Sequence, residues 1–321
     1  MMKIIKLIPA FFLIILLCGC LDYNEMNMQE IVLLAGVDGK EEVFLSVSCA
    51  PGKDEQKKIY TSSGKSFYEA VRALSDRTDK KMYWGHANAV VISEEYLARG
   101  GETVFDTLFR AQDVYLDIVP VVARGLSAEE VLSSESDLLS TFANEKNSKH
   151  RRAYELWEIF RSRDEFRVCV LPCIERTGDG LRLSGGAVMT DEGLRGFLSG
   201  EEMLLLNLIT EAGAGGYLPP VRTEGGAEVT FEILGSKIKN TEKSGALVRK
   251  INIMLSPGEV SATADDEKMR LAAEHYLNET AKKLILLTEK EKMGNILKKS
   301  DEEKPLSVQF SVKMSNILGG E

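Results

Sequence analysis

An almost unbroken apolar run, Leu7 to Leu17, follows Lys3 and Lys6 and gives way to polar, acidic sequence. A transmembrane helix needs about twenty apolar residues, and this run has eleven, with Pro9 among them. A charged start, a short apolar centre and a small residue at its end are the layout of a secretory signal peptide, expected over residues 1–19. Further along the period changes. Ile31 to Val37 is continuously apolar, and Val43, Leu45, Val47 and Cys49 then alternate with Phe44, Ser46 and Ser48. That pattern predicts two strands joined around Asp38-Gly39 as a β-hairpin.

A helical period follows in Phe67, Ala70, Val71 and Leu74, preceded by Ser66 and Glu69 at capping-box spacing. Ala89 to Ile92 reads as a buried strand, Ser93 as the cap of a helix with Glu94 and Glu95 in its first turn, and Gly100 as that helix's stop. Another helix, from about Gly101 to Arg110, precedes the apolar strand "LDIVPVVARG", and Ser127 with Glu130 forms a second capping box ahead of Val131 and Leu132. Tyr154, Leu156, Trp157 and Phe160 supply the apolar face of the next helix.

Beyond "ERTGDG", a turn, the stretch "LSGGAVMTDEGLRGFLSGEEMLLLNLITE" predicts a strand, a turn at Asp191 to Gly193, a short strand, and a helix starting after Ser199 or Gly200. Strands are expected around Val229 to Leu234 and Arg249 to Leu255. A long helix is expected from about Asp266 to Leu297, with an apolar stripe of Met269, Ala272, Ala273, Tyr276, Thr280, Leu284 and Leu287. "PLSVQFSVKM" reads as a closing strand. The length, 321 residues, suits two or three domains.

The cysteines change the picture at the end of the leader. Leu17-Cys18-Gly19-Cys20 resembles a bacterial lipobox, in which the last cysteine takes a diacylglycerol before cleavage. Cys20 is then the lipidated residue, and Cys18 leaves with the leader. Two acyl chains on one residue hold a protein on a membrane without any spanning helix. Charge adds a restriction. The net formal charge of −9 falls to −11 once Lys3 and Lys6 are removed, which argues against nucleic acid and against a polybasic grip on anionic lipid. Cys169 and Cys173, in the extended stretch "FRVCVLPCIE", stand four residues apart, about 13 Å at 3.3 Å per residue, too far for a disulfide. Together with Cys49 they are expected to be buried free thiols.

The candidate chemistry is thin. Gly64-Lys65-Ser66 matches the end of a phosphate-binding loop, but Ile59 stands where its first glycine would turn the chain, so helix capping explains these residues better. "AGAGG" at 212–216 is a flexible loop rather than a dinucleotide fingerprint. His86 reads as a structural, hydrogen-bonded residue, and Lys149 to Arg152 as a solvated helix face. With three histidines in all, His86, His150 and His275, there is no HExxH, no GxSxG and no paired-cysteine cluster. No catalytic, cofactor-binding or metal-binding residue is assigned.

Several segments in order resemble the Ger(x)C family, the lipoprotein subunits of bacterial spore germinant receptors. They are Cys20 with Asp22 and Glu25, "IVLLAGVD", "GKSFYEAVRAL", Gly85-His86 with "VVISEEYLARG", "RAQDVYLDIVPVVA" and "GGAVMTDEGLRGFLSGEE". Leu21 departs from the family's tryptophan, and the section from about Gly294 to Pro305 is shorter than in relatives. The resemblance implies an α+β protein of several small domains, each a mixed or antiparallel sheet flanked by helices. With the segmentation above it divides the chain into a signal peptide (1–19), an N-terminal domain (20–180), a middle hairpin-helix section (181–225) and a shortened C-terminal α+β domain (226–321). It also implies a non-enzymatic protein anchored on the outer face of the spore inner membrane, beside an A subunit and a transporter-like B subunit. A solute-binding lipoprotein of a transporter is the runner-up, and a surface hydrolase the third reading.

Overall fold

The computed structural model describes residues 28–51, 58–101, 103–134, 155–178, 180–297 and 304–315. Cys20, the leader, Tyr154 and the polar stretch 144–152 lie outside them. The first part of the chain forms β1 (Gln29–Gly39), β2 (Val43–Cys49), β3 (Lys58–Gly64), α1 (Phe67–Ser75), β4 (Lys81–Tyr83), β5 (Ala89–Ser93), α2 (Glu94–Leu97), α3 (Thr103–Arg110), β6 (Val119–Ala123), α4 (Ala128–Ser133), α5 (Leu156–Phe166), β7 (Val168–Thr177), β8 (Gly180–Thr190) and β9 (Gly193–Leu198). The second part forms α6 (Gly200–Thr210), β10 (Gly216–Arg222), β11 (Glu228–Lys243), β12 (Ala246–Val260), α7 (Asp266–Lys290) and β13 (Leu306–Met314).

The fold is α+β, with two mixed sheets. The larger runs β3-β2-β1-β5-β6-β7-β8-β9, with β4 also paired to β1. Its centre, β1, β5, β6 and β7, is parallel, and antiparallel hairpins complete both flanks. Parallel strands must be covered on both faces, which is why Ala89–Ser93 and Val119–Ala123 are buried at every position. On one face α1, α3 and α5 bring Phe67, Leu74, Phe105, Leu108 and Ile159 onto Val37, Leu45 and Val90. On the other face α4 brings Val131 and Leu132 onto Leu34, Val91 and Val121.

The "AGVD" end of β1 shows how local sequence seats a distant helix. The Asp38 carboxylate accepts the first backbone N–H groups of α4, from Ala128 at 2.7 Å and Glu129 at 2.9 Å. Gly36 makes room for it, since a Cβ there would lie 3.1 Å from the Ala128 Cβ. The expected Ser127–Glu130 capping box is complete on the same helix.

Residues 181–225 hold β8, β9, α6 and β10. β8 and β9 complete the large sheet, β10 opens the second, and α6 lies between the two. From Met203 to Ile209 every α6 side chain is buried, as a helix apolar all round requires. It packs on Val168, Val170, Val188 and Leu198 of the large sheet and on Leu218, Phe231 and Ile251 of the second. A capping box of Ser199 and Glu202, not anticipated, starts it.

The second sheet, β10-β11-β12-β13, differs from expectation in length and direction. β11 and β12 run well past the expected 229–234 and 249–255 segments, joined by Ser244 and Gly245, both at positive φ, which is the two-residue hairpin that matches strand twist. β13 then returns parallel to β12 after crossing over through α7. That helix ends at Lys290, not at Leu297. Lys292 takes the left-handed conformation (φ 53°), its N–H donating to Glu289 at 3.2 Å and that of Met293 to Thr288 at 2.9 Å. This is a Schellman stop with lysine in glycine's usual place, so composition gave no warning. The buried stripe of α7 is Met269, Ala273, Leu277, Ala281, Leu284 and Thr288. Ala272, Tyr276 and Leu287 from the expected stripe sit at its margin.

Candidate functional site

Gly64-Lys65-Ser66 closes β3 and starts α1. The Ser66 hydroxyl accepts from the Glu69 N–H at 3.2 Å, while the Glu69 carboxylate reaches the Lys65 N–H at 2.9 Å instead of that of Ser66, so the expected box is shifted by one residue. Gly64 is needed for packing: a Cβ there would lie 2.7 Å from the Ala70 nitrogen. The Lys65 and Glu69 amides are therefore used within the helix start. Ser66→Ala is expected to cost about 0.5–2 kcal/mol of stability by loss of the cap, with Lys65→Ala close to neutral. Thermal unfolding of both variants checks this, and ATP binding abolished by Lys65→Ala would overturn it.

Cys49, Cys169 and Cys173 are buried and free. Cys169 and Cys173 share one face of β7 with Leu171, while Val168 and Val170 on its other face pack toward α6. Burial pushes each thiol from its usual 9.0 up to about 12, which leaves them without thiolate near neutral pH. A thiol reagent should label these three only once urea opens the protein. Unfolded thiols ionise near 9.0 and the native ones near 12, so stability is unaffected by them below pH 9 and is lost as pH rises through that interval. Rapid labelling of the native protein would contradict this.

The His86 side chain is exposed, its ring edge-on to Tyr83 at 5.7 Å; the contact that secures the segment is Asn88 Nδ2 donating to the His86 carbonyl at 3.0 Å. His275 lines a groove of about 880 Å³ between α6, β10 and α7, with Glu201, Arg222, Lys268, Tyr276 and Glu279. There the Tyr276 hydroxyl donates to Glu201. Burial and that carboxylate raise the phenol's pKa, so it stays protonated and is neither base nor nucleophile near neutral pH. Lys282 holds Glu279 below the usual carboxylate range. A second groove, about 430 Å³ between α1 and α3, is lined by Phe67, Tyr68, Met82, Trp84, Leu108 and Val114. Among the described residues no three His, Cys, Asp or Glu side chains gather as a metal site, and no helix is long and apolar enough to cross a membrane.

Arg249 was read only as the start of a strand, yet it joins the parts around α6. Its guanidinium is buried among β11, β12, the end of α6 and the segment after α7. A lone arginine in the strand-like "LVRKINIML" carries no signal of that role, because its partners lie 9, 40 and 48 residues away.

Residues 22–176 match the family described as spore germination protein N-terminal domain. The spore germination protein GerQC of Bacillus cereus is 24% identical over 223 residues, which cover 65% of this chain and 60% of that relative. The chain thus spans less than two thirds of the relative's length. The crystal structure of the GerBC protein superposes with a TM-score of 0.54 at 16% identity, over 87% of this chain and 96% of that one, so the fold is shared.

Proposed function

From its likeness to spore germination proteins, we propose that this chain belongs to the Ger(x)C family and is a non-enzymatic subunit of a spore germinant receptor. Cys20 carries its lipid anchor and holds it on the outer face of the spore inner membrane, beside a membrane-embedded A subunit and a transporter-like B subunit. The observation that carries this reading is one of position. The germination domain begins at residue 22, two residues after the cysteine of Leu17-Cys18-Gly19-Cys20. A folded domain starting directly behind a lipobox has its anchor at its own N-terminus and needs no spanning helix.

The division of labour follows from the chemistry of the surface. The phosphate-loop look-alike is a helix cap, the free thiols are buried, and the Tyr276 phenol is tied to Glu201. Such a protein acts by holding partners, and losing one interface disassembles a complex without touching its ligand site. The four-part division of the chain is proposed with it, the germination domain proper ending near residue 180.

Deleting the gene in its sporulating host is the test. Spores should form normally and fail to germinate with at least one nutrient class, and the wild-type gene should restore the response. Unimpaired germination with every nutrient, together with a defect in uptake of a solute, would favour the transporter lipoprotein instead.

A further inference from the structure

The large sheet is polar along its strand direction. β1, β5, β6 and β7 are parallel and begin at one end of the molecule. The segments entering them are held together there. Gln29 pairs with Lys81, the Val119 N–H donates to the Asn88 carbonyl at 2.9 Å, and the Trp157 and Leu156 N–H groups donate to the carbonyls of Leu116 and Ile118 at 3.2 and 2.9 Å.

This end is also where exposed apolar side chains collect. Met28 is 56% exposed, Tyr115 60%, Phe109 46% and Trp157 40%. Phe109 and Trp157 are neighbours through packed partners: Phe109 lies against Phe160, one turn along α5 from Trp157, at 4.2 Å, and Arg161 lies over the Trp157 ring at 5.3 Å, while Tyr115 shares a side-chain hydrogen bond with Tyr83, which pairs with Ile31 near the start of β1. The charges here are largely paired, Lys80 with Glu30 at 3.2 Å and Lys81 with Asp113 at 3.7 Å, so this face is no polybasic grip. The other end of the same strands carries Asp38, Glu41, Glu42, Glu94 and Glu95 together with Lys40, Arg99 and Arg124, a mixed surface with an acidic excess.

The chain outside the described residues says what covers the aromatic end. Met28 is the first described residue and enters β1 there, and Cys20 lies eight residues before it. Eight residues reach at most about 28 Å when fully extended, less than the roughly 36 Å length of an eleven-residue strand such as β1. A lipid at Cys20 therefore keeps the aromatic end toward the bilayer and the acidic end away from it. Tyrosine and tryptophan, apolar bodies with polar tips, are the side chains that favour the headgroup boundary.

We propose that the end of the large sheet bearing Met28, Phe109, Tyr115 and Trp157 is a docking face for the phospholipid surface that holds Cys20. It rests on the anchoring reading above. Two contacts then fix the molecule, the acyl chains and this face, so that the second sheet is presented at a defined orientation rather than swinging on its tether.

The chain's two tryptophans allow a direct test, because Trp84 is buried and Trp157 is on the face. Full-length lipidated protein is reconstituted into protein-free phosphatidylglycerol vesicles, with or without bromine on the acyl chain close to the headgroup, and attachment is scored by flotation. Brominated lipid should quench the wild-type emission, and Trp157→Phe should lose that quenching while floating equally well. Phe109→Ser with Tyr115→Ser should weaken the quenching of Trp157 with flotation unchanged. Protein that floats with Trp157 unquenched overturns the docking face alone and assigns these aromatics to something other than lipid. Protein that does not float overturns the anchor, and the face with it.

Discussion

Cys20→Ala should release the protein from membranes. The thiol is the one place in the lipobox-like stretch where the acyl chains can attach, and leader removal depends on it. Each buried methylene contributes about 0.8 kcal/mol, so one chain gives only marginal, reversible binding whereas two chains give stable attachment. The variant is expected in the soluble or unprocessed fraction, and spores carrying it should behave like the deletion strain. Cys18→Ala should remain on membranes, because that residue departs with the leader. A Cys20→Ala protein that sediments with membranes as firmly as wild type would remove the anchor from the proposal and leave the likeness to spore germination proteins standing.

Arg249→Ala should be the most damaging single change in the folded part. The Arg249 Nε donates to the Asn240 side-chain oxygen at 2.9 Å, and Nη1 donates to the carbonyls of Ile209 at 3.1 Å and Leu297 at 2.7 Å. Alanine would leave those acceptors buried without this donor, at about 1–3 kcal/mol each, and would open a cavity beside them. A loss of about 3 kcal/mol or more is expected, read as a fall of roughly 1 M or more in the urea midpoint. Burial already pushes the guanidinium's pKa down, yet an arginine keeps its charge, and its fork serves several acceptors at once. Lysine offers a single point of donation, so Arg249→Lys should restore little. An alanine variant as stable as wild type would show that α6, β11 and the segment after α7 are held without it.

The same residue marks the limit of what a linear reading sees. Elements whose cause is local were legible: the β1–β2 hairpin from its alternation, α1, α2 and α4 from their serine caps, and β5 and β6 from unbroken apolar runs. Misreadings arose where a signal was atypical. Lys292 stops α7 in a conformation that glycine usually marks, and the polar outer halves of β11 and β12 are strands because they pair with each other and with β13.

The amino-acid sequence by itself determined the short-range facts: where an apolar run ends in Gly19-Cys20, which serines start helices, and that Cys169 and Cys173 stand too far apart along a strand to join. Each depends on residues within about one turn or one strand. Tertiary structure decided the rest. It placed Asp38 on the first turn of α4, 90 residues away, put α6 between two sheets, surrounded Arg249 with carbonyls from distant segments, and gathered Met28, Phe109, Tyr115 and Trp157 at one end. The physical reason is that burial and hydrogen-bond satisfaction are properties of the whole packed chain. A side chain's periodicity tells which face it lies on, and only the neighbours brought to that face tell what it does there.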